Sequence, residues 1–298
     1  TDVFNVVAGV TGPPSFVTNF VADMGFWKSN INTVSNWNLN ARILGQGYLK
    51  TNNTDQQADG GTNMIWDLPN GFSKNNSSIQ VASVFKRHAG FDVVNYRGTS
   101  SSDTSGAWQV IPHNLAKVPE MIIVKIRDGG SGYWGVYHNA LNGGTTPWNY
   151  RMLLNGTNSE SDGSSSGYTT WYWNDTAPTA THFNVGEVTN ANYDGGKGLA
   201  LLFASVDGIS KVGYYDGSDS SQTITTGFQP RFVIIRRVND QQDWVVLDTV
   251  RGWASGNDPR LELNQNVAQN DNTDFGAPTS TGFSLAGATG KCNQSGGK

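Results

Sequence analysis

Trp171-Tyr172-Trp173-Asn174 is the richest aromatic run in the chain. In an extended segment, alternation puts Trp171 and Trp173 on one face. Two indoles side by side form a platform on which a sugar ring can stack, and Asn174 adds an amide for a hydroxyl. These four residues are the candidate glycan contact. The same rings serve equally well as core residues or as a subunit contact, because Trp and Tyr join a large apolar area to a polar handle. The adjoining stretch from Asn155 to Tyr168 is rich in Ser, Gly and Asn, which marks an exposed loop and the rim on which a contact would sit.

A second cluster is Asn270-Asp271-Asn272-Thr273-Asp274-Phe275-Gly276. Oxygen-bearing side chains at Asn270, Asn272 and Asp274 have the alternation of a calcium loop, but the closing Glu is replaced by Thr281. A solvated turn is the simpler reading, and no metal or other cofactor is expected. The histidines His88, His113, His138 and His182 have no second His or carboxylate at metal-ligand spacing. There is no Gly-x-Ser-x-Gly, His-Glu-x-x-His or phosphate-loop pattern. Asp240 and Asp243 fall in an expected turn, whereas a glycosidase needs two carboxylates on opposite sides of one bond. No enzymatic activity is expected.

The elements that must carry these residues are strands. Aromatic residues make up 11% of the chain and glycines number 36, with abundant Asn, Ser and Thr. Aromatic and β-branched residues suit pleated, half-buried surfaces, and Gly and Asn supply the turns. Charged residues are 15% and the net charge is −4, with no basic stripe, so nucleic-acid binding is not expected. No apolar run reaches the roughly 20 residues of a membrane helix, and the first residues lack a charged-then-apolar leader pattern. A lone cysteine, Cys292, leaves no internal disulfide.

One hairpin is written twice. Pro119-Glu120-Met121-Ile122-Ile123-Val124 resumes at Trp134, and Pro230-Arg231-Phe232-Val233-Ile234-Ile235 resumes at Trp244. The first strand of each is apolar on both faces, which places it centrally with cover on two sides. The match continues in order. Tyr150 to Asn155 pairs with Pro259 to Asn264, Ala177-Pro178-Thr179 with Ala277-Pro278-Thr279, and Gly195-Gly196-Lys197 with Gly296-Gly297-Lys298. A fainter copy is read at the start. There Pro14 to Val17 leads to Trp27, Asn40 to Leu44 parallels Asn149 to Leu153, Asn70 to Ser73 parallels the Gly282-Phe283-Ser284 element, and Val81 to Phe85 parallels Leu199 to Phe203. No opening strand is expected before Pro14. The last copy stops at the residue before the strand Gly198 to Ala204 of its neighbour. The chain is therefore expected to be a piece of a longer polypeptide, with the gap filled by later sequence or by a donated strand.

Several stretches resemble a repeat domain common in virion and tail-fibre-like proteins of marine bacteriophages. They are His113-Asn114-Leu115 before Pro119 to Ile122, Asn174 to Thr179, Phe203 to Gly208, Arg251 to Pro259 and Phe85-Lys86-Arg87. The likeness covers most of residues 20–298, although Gly227-Phe228 stands where Asn114-Leu115 leads one to expect a matching pair. It implies a virion structural protein of tail-fibre or spike type that contacts the host-surface receptor, and it brings no catalytic residues. The expected fold is all-β, with tandem, jelly-roll-like β-sandwich repeats and long polar loops. The expected division is 1–90 as a divergent or partial repeat, 91–208 as a full repeat, and 209–298 as a repeat lacking its last strand. Expected partners are copies of the chain itself, as a trimer, with other virion proteins and a host-surface glycan. No nucleic acid and no membrane insertion are expected. An array of carbohydrate-binding modules without catalysis is the alternative.

Overall fold

The computed structural model describes residues 3–61, 64–74, 81–88, 90–163 and 171–298, and its regular structure is nearly all antiparallel β. The first part of the chain forms β1 (Phe4–Ala8), β2 (Phe16–Val17), β3 (Met24–Lys28), β4 (Trp37–Ala41), β5 (Gly47–Lys50), β6 (Ala58–Asp59), β7 (Met64–Ile65), β8 (Gly71–Lys74) and β9 (Val81–Phe85). Six of these make one sheet in the order β1-β9-β3-β4-β5-β6, and β2-β8-β7 make a smaller one. Between the two lies a core containing Phe16, Trp27, Met64, Trp66, Phe72 and Val84.

The second part forms β10 (Phe91–Arg97), β11 (Gln109–Pro112), β12 (Met121–Ile126), β13 (Gly135–His138), β14 (Tyr150–Leu153), β15 (Ser161–Asp162), β16 (His182–Val185) and β17 (Lys197–Phe203). The sheet order β10-β17-β12-β13-β14-β15 repeats that of the first part, and β11-β16 lie across it. The third part forms β18 (Gln222–Thr225), β19 (Phe232–Ile235), β20 (Val245–Asp248), β21 (Leu261–Glu262), β22 (Pro278–Thr279) and β23 (Gly282–Leu285). Here the sheets are β19-β20-β21 and β18-β23-β22. Among the described residues β19 therefore lies at a sheet edge, where β3 and β12 are each flanked on both sides.

Alternation along these central strands explains the layering. In β12, Met121 and Ile123 turn toward one core while Ile122 and Val124 turn toward another. In β19, Phe232 and Ile234 turn to the first of these cores, and Val233 and Ile235 to a third. The core shared by all three parts contains Phe26, Leu39, Ile123, Trp134, Val136, Trp244 and Val246. Each part thus gives one sheet face to a common centre and the other to a core of its own. The two-sided burial expected of Met121–Val124 is what β12 shows, since all but its first residue are buried.

Two expectations for the first part are corrected. A strand does precede Pro14: β1 pairs with β9 from Phe4↔Phe85 to Ala8↔Val81. The hairpin register also differs. Phe16–Val17 pairs with β8 in the small sheet, while β3 occupies the position expected for it. Trp27 lies inside β3, opposite Asn38, and Trp37 starts the second hairpin strand. Gly25 dilutes the apolar signature of β3, so Pro14–Val17 resembled the hairpin start more closely. For the same reason the partner of β4 is β5, at Gly47–Lys50, and Asn40 to Leu44 runs from β4 into a 3-10 turn.

Candidate functional site

Trp37, Trp134 and Trp244 share one register position, at or just before the start of the second hairpin strand. Each backbone N–H donates to an asparagine Oδ1 at the far side of the next strand: Asn52 at 3.0 Å, Asn155 at 2.9 Å and Asn264 at 2.9 Å. The indoles then reach across to a neighbouring part. Trp134 Nε1 donates to Lys50 O at 3.0 Å, and Trp244 Nε1 donates to Leu153 O at 2.9 Å. Trp37 Nε1 is buried without a partner among the described residues. The joint between first and third parts closes instead through the Thr51 hydroxyl to Leu263 O (2.8 Å), Ser35 N to Asn266 O (2.8 Å) and Gln269 N to Ile31 O (2.6 Å).

Opposite these tryptophans stand Lys28, Lys125 and Arg236. Lys28 and Lys125 are fully buried, and burial holds the ammonium groups of both down at about 8, with nearby Asp55 opposing the shift at Lys125. Their hydrogens go to carbonyls. Lys28 Nζ donates to Ser35 O, Lys125 Nζ to Gly132 O and Thr54 O, and Arg236 Nη2 to Thr157 O and Asn158 O. Lys125 and Arg236 thereby fasten one part to the next, while Lys28 ties a loop of its own part.

A polar cleft of about 410 Å³ opens in the first part, lined by Trp27, Ser29, Asn36, Asn38, Asn40, Tyr48, Asp59 and Lys74 among others. Asn36 sits just before β4 and Asn38 and Asn40 follow on the same face by alternation. Asn40 is fully buried and satisfied, accepting from Trp27 Nε1 at 2.7 Å and donating to Gly47 O at 2.9 Å. Asn38 donates to Asn36 O, while its Oδ1 has no partner among the described residues. The Lys74 ammonium lies 4.2 Å from the Trp27 ring centroid, and burial lowers its pKa.

The matched space in the second part is filled. The aromatic run that was expected as a glycan platform sits there: Trp171, Tyr172 and Trp173 are buried, at 4%, 2% and 3% exposure. They form a core with Tyr137 and Phe183, and Trp173 Nε1 donates to Tyr150 O at 3.0 Å. Arg151 covers the Trp171 and Tyr172 rings, 5.0 and 5.2 Å from their centroids. The expected platform is therefore corrected. Residues 171–175 are a turn, not a strand, and they fold inward because the space between two sheets must be filled. Gly135 makes room for them, since a Cβ there would meet the Tyr172 ring at 2.4 Å. Asn174 stands half-buried at the turn's end with φ 53°.

The rim at Asn155 to Tyr168 is only partly described, and residues 164–168 lie outside the described residues. Its first half packs on the third part, where Glu160 N donates to Val238 O at 2.6 Å. In the other candidate, Asn270 Oδ1 accepts from Asn272 N (3.2 Å) and Asp274 Oδ1 from Gly276 N (2.8 Å). Asn272 Oδ1 accepts from the Thr273 hydroxyl at 3.2 Å. These oxygens bind their own turn, which is the geometry of a solvated loop and not of converging cation ligands. His113 sits on Thr179 O, and His138 Nδ1 accepts from Ala140 N at 3.1 Å. Among the described residues no three His, Cys, Asp or Glu side chains gather as a metal site. The stretch Arg251 to Pro259 is a loop built on buried polar bonds. Arg251 pairs with Asp248 at 2.5 Å, and Asp258 accepts from Phe275 N at 2.7 Å.

The sequence reading missed the cleft of Asn36, Asn38 and Asn40. Its signal was present in Asn36-Trp37-Asn38-Leu39-Asn40, a strand with one amide face where the matched strands carry Gly135, Tyr137, Val245 and Leu247.

The sheets define an all-β protein whose three larger antiparallel sheets share one core. The chain belongs to the family described as a domain of unknown function, DUF7483, whose model matches residues 4–298. Neither the curated proteins nor the solved structures give a match.

Proposed function

We propose that this domain is three divergent copies of one β-sandwich module closed into a ring, and that the ring is a virion structural element of tail-fibre or spike type. Its copies correspond to 1–90, 91–208 and 209–298. The observation that carries the reading is the tryptophan at one register position in every part, docked in two cases on a carbonyl of the preceding part. A second match supports it: Arg127 N donates to Lys197 O and Val238 N donates to Lys298 O, both at 2.7 Å. A ring whose centre is a single apolar core is stiff, and its polar loops either brace the joints between parts or reach solvent. Stiffness with outward loops suits a part that holds its shape and presents surface at a distance. Three such chains around a fibre axis, with other virion proteins as neighbours and a host-surface glycan as the thing touched, is the assembly proposed.

The test is mass spectrometry of purified virions together with the native mass of the purified chain. Peptides of this chain in particles and a native mass of three 32.1 kDa subunits are the expected results. Absence from particles overturns the virion reading. The polar cleft favours a second reading, a monomeric carbohydrate-binding module, and glycan binding by a chain of single-subunit mass would select it.

A further inference from the structure

The amide face of β4 is in the wrong chemical company for a strand between two sheets. At its register positions the second part has Gly135 and Tyr137, sealed by Tyr172 and Trp173, and the third has buried Val245 and Leu247. Those two parts use the face for apolar burial, worth about 25 cal/mol for each Å² removed from water. The first part gives this up for Asn38 and Asn40. Asn40 is accounted for by its bonds to Trp27 and Gly47. Asn38 is not. It is 93% buried, lines the cleft, and its Oδ1 lacks a donor among the described residues. The Oδ1 itself opens into the cleft, where it can accept from a hydroxyl that enters.

We infer that this cleft is a binding site for one pyranose residue of a neutral glycan. Its volume of about 410 Å³ falls within the roughly 300–1,000 Å³ of small-molecule sites. The polar groups suit vicinal hydroxyls, which donate and accept from neighbouring carbons. Asn38 Oδ1 accepts, Asn36 Nδ2 donates, and the Ser29 and Tyr48 hydroxyls do either. None of these four groups is bonded among the described residues, whereas Asn36 Oδ1 is held by Asn52 at 2.9 Å. The charged groups at the wall are already engaged. Lys50 pairs with Asp55 at 2.7 Å and Asp59 accepts from Gly61 N at 2.8 Å, which leaves no strong demand for a charged ligand. The Trp27 face is covered by Lys74, so hydrogen bonds and not ring stacking carry the recognition. The inference is independent of the virion reading, because it concerns only the first part of the chain.

The experiment is saturation-transfer NMR on the intact chain with methyl glycosides of glucose, galactose, mannose and N-acetylglucosamine, alongside the Asn38→Leu variant. Val245 stands at this register position in the third part, so the strand accepts an apolar side chain there, and thermal unfolding checks that the fold is retained. The expected result is transfer to at least one glycoside and a loss of about tenfold in affinity in Asn38→Leu, the equivalent of one hydrogen bond. Ser29→Ala provides a second variant of the cleft should Asn38→Leu unfold, with a smaller loss expected. No transfer to any of the four glycosides, or equal binding by the wild type and a folded cleft variant, overturns the inference and leaves a cleft filled by water alone. Particle composition and native mass do not bear on this result, so the two readings fail separately.

Discussion

β4 and β13 occupy the same place in sheets of the same strand order, yet one faces a polar cleft and the other an aromatic plug. The shared scaffold does not decide the matter. The connection beyond the fifth strand of each sheet does. In the second part it is long enough to bring Trp171, Tyr172 and Trp173 back over Gly135, and in the first part Met64 and Trp66 follow β6 closely and, among the described residues, leave the amide face open. One architecture thus yields core or cleft according to a single connecting segment, while the opposite face of the same strands stays committed to the common centre.

That comparison can be broken at several points. The largest effect belongs to the shared face. Ile123→Asp buries an unpaired carboxylate at a position 2% exposed, and denaturant unfolding should register a loss of several kcal/mol, comparable to a domain's whole margin. Ile234→Asp, half-buried on the edge strand β19, should lose clearly less. Equal losses would mean that β19 is as enclosed as β12. Next comes the plug. Tyr172→Ala should cost about 3–5 kcal/mol by opening a cavity, and Tyr48→Ala, in the cleft, about 1 kcal/mol or less. Similar costs would erase the distinction between core and cleft.

A pH series sharpens the comparison further. Burial holds His138 down at about 4, with Glu120 and the Gly213 carbonyl opposing the shift, and the first part has Ala41 at its register position. The folded state prefers the neutral ring, so between about 6.5 and 4 the unfolded chain binds more protons. Stability is full above the unfolded value and declines as pH falls through this window, by up to about 3 kcal/mol. In His138→Ala, urea midpoints from pH 7 to pH 4 should show a correspondingly shallower slope, and an unchanged slope would assign the decline elsewhere. The smallest effect separates the indoles. Trp134→Phe should cost about 1 kcal/mol more than Trp37→Phe, since Trp134 Nε1 has Lys50 O and Trp37 Nε1 has no partner among the described residues to lose.

How legible this was follows from what period-2 patterns encode. Met121 to Val124 is apolar at every position, and that alone implies cover on two faces. The pairing of Gly195-Gly196-Lys197 with Gly296-Gly297-Lys298 reappears in the bonds of Lys197 and Lys298 to Arg127 and Val238. The first part was misread because Trp27 and Trp37 are both strand tryptophans, and only the ladder tells which one opens the second strand. The aromatic run left two readings open for another reason. Residue type marks Trp171 and Trp173 as large and amphipathic, but whether such rings face water or another sheet depends on where a turn folds back. The amide face of β4 was written plainly, but its meaning needed the matched strands beside it.

The bond from Thr51 to Leu263 joins residues 212 positions apart, and it belongs to the joint that completes the common core. A ribosome delivers the first part long before its partner exists. Until the third part emerges, the inward faces of Phe26, Leu39, Ile123 and Val136 have one wall missing. Contacts of such long separation form late and slowly. The nascent chain then exposes an apolar inner face to its surroundings, and its safe passage depends on how quickly the third part arrives.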